Sequence, residues 1–209
     1  MKKSLQEDWN QKYASSLQTK LGWYEEDPAP SLAYIERCGL PKDAPILDVG
    51  SGMTTLISKL IDGGYQNIFA ADISNIALEK ARSLLSEEQQ PHVRWIVDDI
   101  AHSTEIQNLE GIALWHDRAV FHFLTKDENR QAYLSLLQKV VKHGGHVIMA
   151  TFALTGATHC SGFPVQGYSV DTLTKFMGEG FKLIEAMDYI YQMPSGDSRP
   201  YIYTHFERV

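Results

Sequence analysis

The stretch Ile46-Leu47-Asp48-Val49-Gly50-Ser51-Gly52 decides how this chain reads. A short apolar run carries one acid and ends in two glycines one residue apart. Leu56, Ile57, Leu60 and Ile61 follow at helical spacing, and Gly63-Gly64 stops them. The pattern predicts strand, tight turn and helix. Glycine lets backbone approach a ligand closely, because no Cβ intervenes. A helix that follows presents unpaired N–H groups and the positive end of its dipole. Gly50, Ser51 and Gly52 are therefore expected to hold a nucleoside-bearing ligand at the end of the first strand.

The acids choose among nucleosides. A dinucleotide fingerprint needs a third glycine three residues after the second, and Thr55 stands there. Asp48 would repel a pyrophosphate but suits an amino group. An amino-acid-bearing nucleoside, S-adenosylmethionine, fits both facts; the alternative is a glycine turn with no ligand. Asn67-Ile68-Phe69-Ala70-Ala71 reads as a second strand ending at Asp72. An acid about twenty residues beyond such a turn accepts hydrogen bonds from ribose hydroxyls. Ser74 stands where a helix N-cap belongs, ahead of Ile76, Ala77, Leu78 and Ala81. A third strand, His92 to Val97, ends at Asp98-Asp99-Ile100. One of these acids is expected to accept from the adenine amino group. Asp98 is preferred over Asp99, with Ile100 or Ile73 packing on the ring.

Asp48-Val49-Gly50-Ser51-Gly52, then Ala71-Asp72-Ile73-Ser74, then Val97-Asp98-Asp99-Ile100, at this spacing, resemble the successive motifs of class I S-adenosylmethionine-dependent methyltransferases. The likeness runs through most of the chain. The segments Leu114 to Leu124 and Cys160 to Val165 resemble a bacterial subgroup of that family. One departure is His143, which stands where the family usually has proline before two glycines. The resemblance implies an α/β, Rossmann-like, seven-stranded and mostly parallel sheet, with helices on both faces and an antiparallel C-terminal hairpin. It also implies methyl transfer from S-adenosylmethionine, with S-adenosylhomocysteine as product.

The whole chain is compatible with that. Its 209 residues suit one domain, 1–209, and its 44% hydrophobic and 22% charged content is ordinary for a globular protein. A net charge of −7 argues against a nucleic-acid partner, which would want a basic face. Cys38 and Cys160 make neither a disulfide framework nor a metal motif, so a reducing cytoplasm is expected and no metal. The N-terminus lacks the apolar stretch of a signal peptide, and no run is long enough to span a bilayer. Strand and helix patterns alternate, which predicts a parallel sheet covered on both faces. Thr125-Lys126-Asp127-Glu128 reads as a capping box opening one helix, and Ser169 as the cap of another. Val147 to Phe152 is the fifth strand. Phe181–Tyr189 and Tyr201–Glu207 form the last pair, whose Tyr189, Tyr191, Tyr201 and Tyr203 either line the hairpin or join two copies; oligomeric state stays open.

The acceptor side belongs beyond the carboxyl ends of the strands. Strand four is read as Ile112 to Trp115, so His116, Asp117 and Arg118 follow its end. His116 and Asp117 are the candidates to orient or deprotonate an acceptor, histidine because it titrates near neutral pH. His116 is also placed at the cofactor. Arg118 either grips a substrate carboxylate or, preferably, pairs with Asp117. His122 reads as packed. The loop 153–168 is long enough to be a lid; His159 is its substrate candidate, and Cys160 reads as a turn cysteine. Leu5, Trp9, Tyr13 and Leu17 make one helical stripe. With Trp23 in the segment 1–30, the stripe either docks on the sheet or also closes over cofactor and acceptor; the resemblance implies a covering helix, which makes Trp9, Tyr13 and Trp23 lid candidates. The expected acceptor is a small molecule. The rivals are a protein side chain such as lysine, a nicotinamide-dependent oxidoreductase, or a non-catalytic cofactor-binding protein.

Overall fold

A computed structural model describes residues 3–209. Its main sheet has seven strands in the order β3-β2-β1-β4-β5-β9-β8. They are β1 (Ile46–Val49), β2 (Ile68–Asp72), β3 (Val93–Val97), β4 (Ile112–Arg118), β5 (Val141–Phe152), β8 (Phe181–Gln192) and β9 (Ser198–Arg208). Strand β9 runs antiparallel to both neighbours, and the other pairings are parallel. Two short strands, β6 (His159–Cys160) and β7 (Phe163–Pro164), form a separate antiparallel hairpin within the loop 153–168. The order turns back between β1 and β4, which opens a crevice at their carboxyl ends.

Strand alternation divides the core. Leu47, Val49, Phe69 and Trp115 point to one face, with Tyr133 and Leu137 of α5 (Asp127–Val140) and Leu173 of α6 (Val170–Met177). Ile46, Ile68, Leu114 and Ile148 point to the other, with Tyr34 and Ile35 of α2 (Ala29–Arg37) and Leu56 and Leu60 of α3 (Leu56–Asp62). Helix α4 (Asn75–Ser83) is capped by the Ser74 side chain, which accepts from the Ala77 amide. Ser169 caps α6 in a full capping box with Thr172. The box expected at Thr125 does not form. Helix α5 begins one residue later, so Lys126 takes the N-cap position and offers no side-chain acceptor.

Helix α1 (Leu5–Ser15) docks apart from both sheet faces. Its buried Tyr13 packs with Leu21, Met53 and Ala77, and Trp9 and Trp23 lie against them. Polar ties fix it: Asn10 Oδ1 accepts from Ser74 Oγ at 2.7 Å, and Lys80 Nζ donates to the Tyr13 carbonyl at 2.6 Å. Leu17, expected on the same stripe, falls beyond the helix and is 72% exposed. The last two strands are longer than expected. Tyr191, Tyr201 and Tyr203 are buried in the core on the α2 face. Among the described residues no helix is long and apolar enough to cross a membrane.

Candidate active site

Two adjoining cavities open at the crevice. The larger, of about 310 Å³, is lined by Asp72, Ile73, Asp99, Ile100, Trp9 and Phe163, among others. The smaller, of about 40 Å³, is lined by Glu25, Ser31, Asp48, Ser51, His116 and Arg118, among others. Trp23, Gly50 and Arg118 line both, so the two cavities adjoin.

The glycine turn is shaped by its neighbours. Gly50 has φ +61°, and a Cβ there would fall 2.0 Å from Val120 Cγ2. Gly52 has φ +54°, and its Cβ would fall 2.6 Å from the Tyr13 hydroxyl of α1. Only glycine meets both demands at each position. Asp72 latches the turn: Oδ2 accepts from the Gly52 amide at 2.9 Å, and Oδ1 from the Ser74 amide at 2.8 Å. A carboxylate has about four acceptor positions, so capacity remains for hydroxyl donors from the cavity. Burial pushes its pKa up to about 6, against the lowering effect of those amides.

Strand β3 ends at Val97, as expected, and the two acids that follow it differ in their partners. Asp98 turns inward, accepting from Ser103 Oγ at 2.6 Å and from the amides of Thr104, Glu105 and Ile106. These bonds outweigh desolvation and hold its pKa below the usual range. Its oxygens are committed to folding the loop onto itself. Asp99 beside it is less encumbered, accepting from the Ala101 amide and facing His102 Nδ1 at 3.1 Å. Asp98 and Asp99 both line the large cavity, and Asp99 keeps the more acceptor capacity for a donor from it.

His116 and Asp117 also differ from expectation. Strand β4 continues through Arg118 instead of ending at Trp115, so alternation sends these side chains to opposite faces. Asp117 is fully buried: Oδ2 accepts from Tyr133 Oη at 2.8 Å, and Oδ1 from the Val120 amide at 3.0 Å. It lines neither cavity, and it closes the turn in which Ala119 has φ 70°. His116 is buried too, with Nδ1 2.6 Å from Asp48 Oδ1 and Nε2 2.9 Å from Ser31 Oγ. With Asp48 accepting, Nδ1–H donates to it, and Nε2 shares a hydrogen bond with the Ser31 hydroxyl, which can serve as either donor or acceptor. The ring orients Asp48 in the small cavity and does not reach the large one.

Arg118 does not pair with Asp117. It crosses to the segment after α1, with Nε 2.9 Å from Glu25 Oε2 and Nη1 donating to the Trp23 carbonyl at 2.9 Å. Tyr191 and Tyr201 lie on its guanidinium at 4.9 and 5.4 Å. The Nε contact lies off the hydrogen-bond direction, so Nε and Nη2 are both without a hydrogen-bond partner. Glu25 Oε1, Asp48 Oδ2 and Ser51 Oγ are equally without one. All five atoms belong to residues lining the small cavity. Buried polar groups are nearly always satisfied. Unpaired donors on Arg118 beside unpaired carboxylate oxygens of Asp48 and Glu25 have the polarity to meet a ligand that carries both an acidic and a basic group. No sequence signal pointed to Glu25 or Ser31, because both partnerships are long-range.

The roof is aromatic. Trp9 stacks on Phe163 with centroids 5.4 Å apart and meets Phe123 edge-on at 5.3 Å. Tyr13 and Trp23 meet edge-on at 5.9 Å. His159 is exposed on β6 and lines no cavity, whereas Cys160, Phe163 and Pro164 of the same hairpin line the large one. Strand alternation turns His159 outward and Cys160 inward. His122 is packed on Phe152 at 4.2 Å, and burial pushes its pKa down to about 3.

The model of the family described as "Methyltransferase domain" matches residues 40–189. EEF1A lysine methyltransferase 2 from Homo sapiens is 24% identical over 195 residues, covering 87% of this chain and 75% of its own. The fold resembles a solved SAM-dependent methyltransferase from Anabaena variabilis, with a TM-score of 0.76 and 11% identity over 100% of this chain and 96% of that one. It also resembles the N-methyltransferase NodS from Bradyrhizobium japonicum in complex with S-adenosylhomocysteine, with a TM-score of 0.69 and 17% identity over 96% of this chain and 98% of that one. The chain belongs to the methyltransferase-domain family: it is an enzyme of the class I fold, and its methyl donor is S-adenosylmethionine.

Proposed function

We propose that this methyltransferase acts on a small-molecule acceptor beneath the aromatic roof, as one domain in a reducing compartment such as the cytoplasm. The observation that carries the reading is the roof itself: Trp9 and Phe163, from elements far apart in sequence, stack over a cavity of about 310 Å³. That volume is at the small end of ligand pockets. Beside an adenosyl group it leaves little room, which favours a small acceptor under the closed roof. Both cysteines are free, which fits a reducing environment.

S-adenosylmethionine supplies an electrophilic methyl group on a sulfonium. In this reading Arg118, Asp48 and Glu25 take its amino-acid end, Asp72 its ribose hydroxyls and Asp99 its adenine amino group, with Ile73 and Ile100 beside the ring. His116 holds Asp48 in place through Nδ1. No side chain of the β4 end is free to act as a base, so the acceptor brings its own lone pair and the residues contribute alignment.

A second reading, a lysine side chain of a protein as acceptor, is favoured by the lysine methyltransferase relatives at 24% and 25% identity. Incubation with methyl-labelled cofactor separates the two. Label transferred to small amines, hydroxyls or thiols, with no labelled protein band from cell extract, supports the first. A labelled protein band without small-molecule turnover overturns it.

A further inference from the structure

We propose that Cys38, His146 and His205 form a zinc site on the α2 face of the sheet, separate from the active site. The three come from distant elements: Cys38 from the C-cap of α2, His146 from β5 and His205 from β9. None of them lines either cavity. Their ligand atoms all lie within 4.8 Å of one another. His205 Nε2 is 3.0 Å from His146 Nδ1 and 3.5 Å from Cys38 Sγ. Zinc binds histidine nitrogen at about 2.0–2.1 Å and thiolate at about 2.3 Å, so tetrahedral neighbours stand about 3.3–3.6 Å apart. The two His205 contacts are within a few tenths of an ångström of those separations, and the third pair lies within 4.8 Å.

The surroundings complete the pattern. Metal-bound histidines usually donate their other ring N–H to a carboxylate. His205 Nδ1 is buried without a hydrogen-bond partner and lies 3.5 Å from Glu185 Oε1. A bulge between Leu183 and Glu185 brings Glu185 directly across from His205, the kind of irregularity that re-aims a side chain. Arg37 Nε holds the same carboxylate oxygen at 2.7 Å. His205 is buried, whereas Cys38 and His146 are half-buried, so solvent can deliver the ion and fill the fourth position. One soft thiolate with two imidazoles selects zinc over calcium or magnesium.

Such a site staples α2 to the sheet. Helix α2 carries Ser31, whose hydroxyl partners His116, so the metal steadies the helix that backs the cofactor pocket. The test uses the whole reduced chain, stripped with chelator and titrated with cobalt(II). The expected result is one equivalent bound, with a thiolate-to-cobalt charge-transfer band that zinc displaces. Cys38→Ser removes the band, and Glu185→Gln weakens zinc binding about 10- to 100-fold. His143→Gln, at a nearby exposed histidine, changes neither. Zinc raises the melting temperature of the wild type and not of Cys38→Ser. Binding of S-adenosylhomocysteine reports folding of each variant, and His146→Gln reads the same band if Cys38→Ser does not fold. A reduced, folded wild-type protein with no thiolate band, or a band that survives Cys38→Ser, overturns the proposal.

Discussion

The two adjoining cavities are built on opposite principles. The small one is a cluster of buried charge, with Asp48, Glu25 and Arg118 set before any ligand arrives and several of their polar atoms unpaired. The large one is walled by strand-end acids but roofed by Trp9, Phe123 and Phe163, which make no directional bonds to one another. An unpaired charge held in a rigid β-framework recognises one partner and rejects others, because any mismatch leaves the desolvation cost uncompensated. An apolar roof on a helix and a loop hairpin tolerates variation. In the proposed reading the amino-acid end of the cofactor meets the first kind of construction and the acceptor meets the second.

The comparison breaks most visibly at Arg118. Replacing it with methionine leaves Glu25 buried without its cation, and we expect a loss of about 3–5 kcal/mol in chemical denaturation. Adding Glu25→Gln to that variant restores part of the stability but not the binding of S-adenosylhomocysteine. If the single variant is as stable as wild type, the charge cluster is not under the strain described. Next in size is Asp72→Ala, which removes the ribose acceptor and the latch on Gly52. Loss of about 1–3 kcal/mol in S-adenosylhomocysteine affinity is expected from calorimetry, and unchanged affinity would refute the ribose role.

The sign of the pH dependence follows from the same carboxylate. Asp72 in the free protein titrates near pH 6, and ribose hydroxyls donate to its charged form. Affinity is therefore full above pH 6 and falls as pH drops through that value, by at most about tenfold per unit. A flat profile between pH 5 and pH 7 would contradict it. The smallest effect belongs to the roof: Phe163→Ala raises the acceptor KM several-fold and weakens S-adenosylhomocysteine by less than that, because Asp72 and Asp99 still hold the adenosyl group in the cavity that Phe163 roofs. Equal losses in both would mean that the roof binds cofactor and acceptor alike.

The same division governs what could be read from the sequence. The strand-turn-helix at Asp48 to Gly52, the acid at Asp72 and the caps at Ser74 and Ser169 are local patterns, and each reports its own conformation. Asp98 and Asp99 are adjacent at one strand end, and what distinguishes them is a loop that folds back on the first, which no local pattern shows. The roles of His116 and Asp117 depended on where β4 stops. Three further residues of strand send one to Asp48 and the other to Tyr133. The partners of Arg118, Glu25 and Ser31 lie 93 and 85 residues away from the residues they meet (Arg118 from Glu25, His116 from Ser31), and no local pattern encodes such distances. Cys38, His146 and His205 are scattered in the same way and converge only through the pairing of β5 with β9 and the docking of α2.

The central claim is that the small cavity recognises the amino-acid end of the cofactor. Calorimetric titration of S-adenosylhomocysteine against 5′-methylthioadenosine, which lacks that end, tests it most directly in wild type and in Asp48→Asn. Wild type is expected to bind S-adenosylhomocysteine much more tightly, with the gap largely lost in Asp48→Asn because S-adenosylhomocysteine alone weakens. Equal affinities in wild type, or a gap that Asp48→Asn leaves intact, would contradict it.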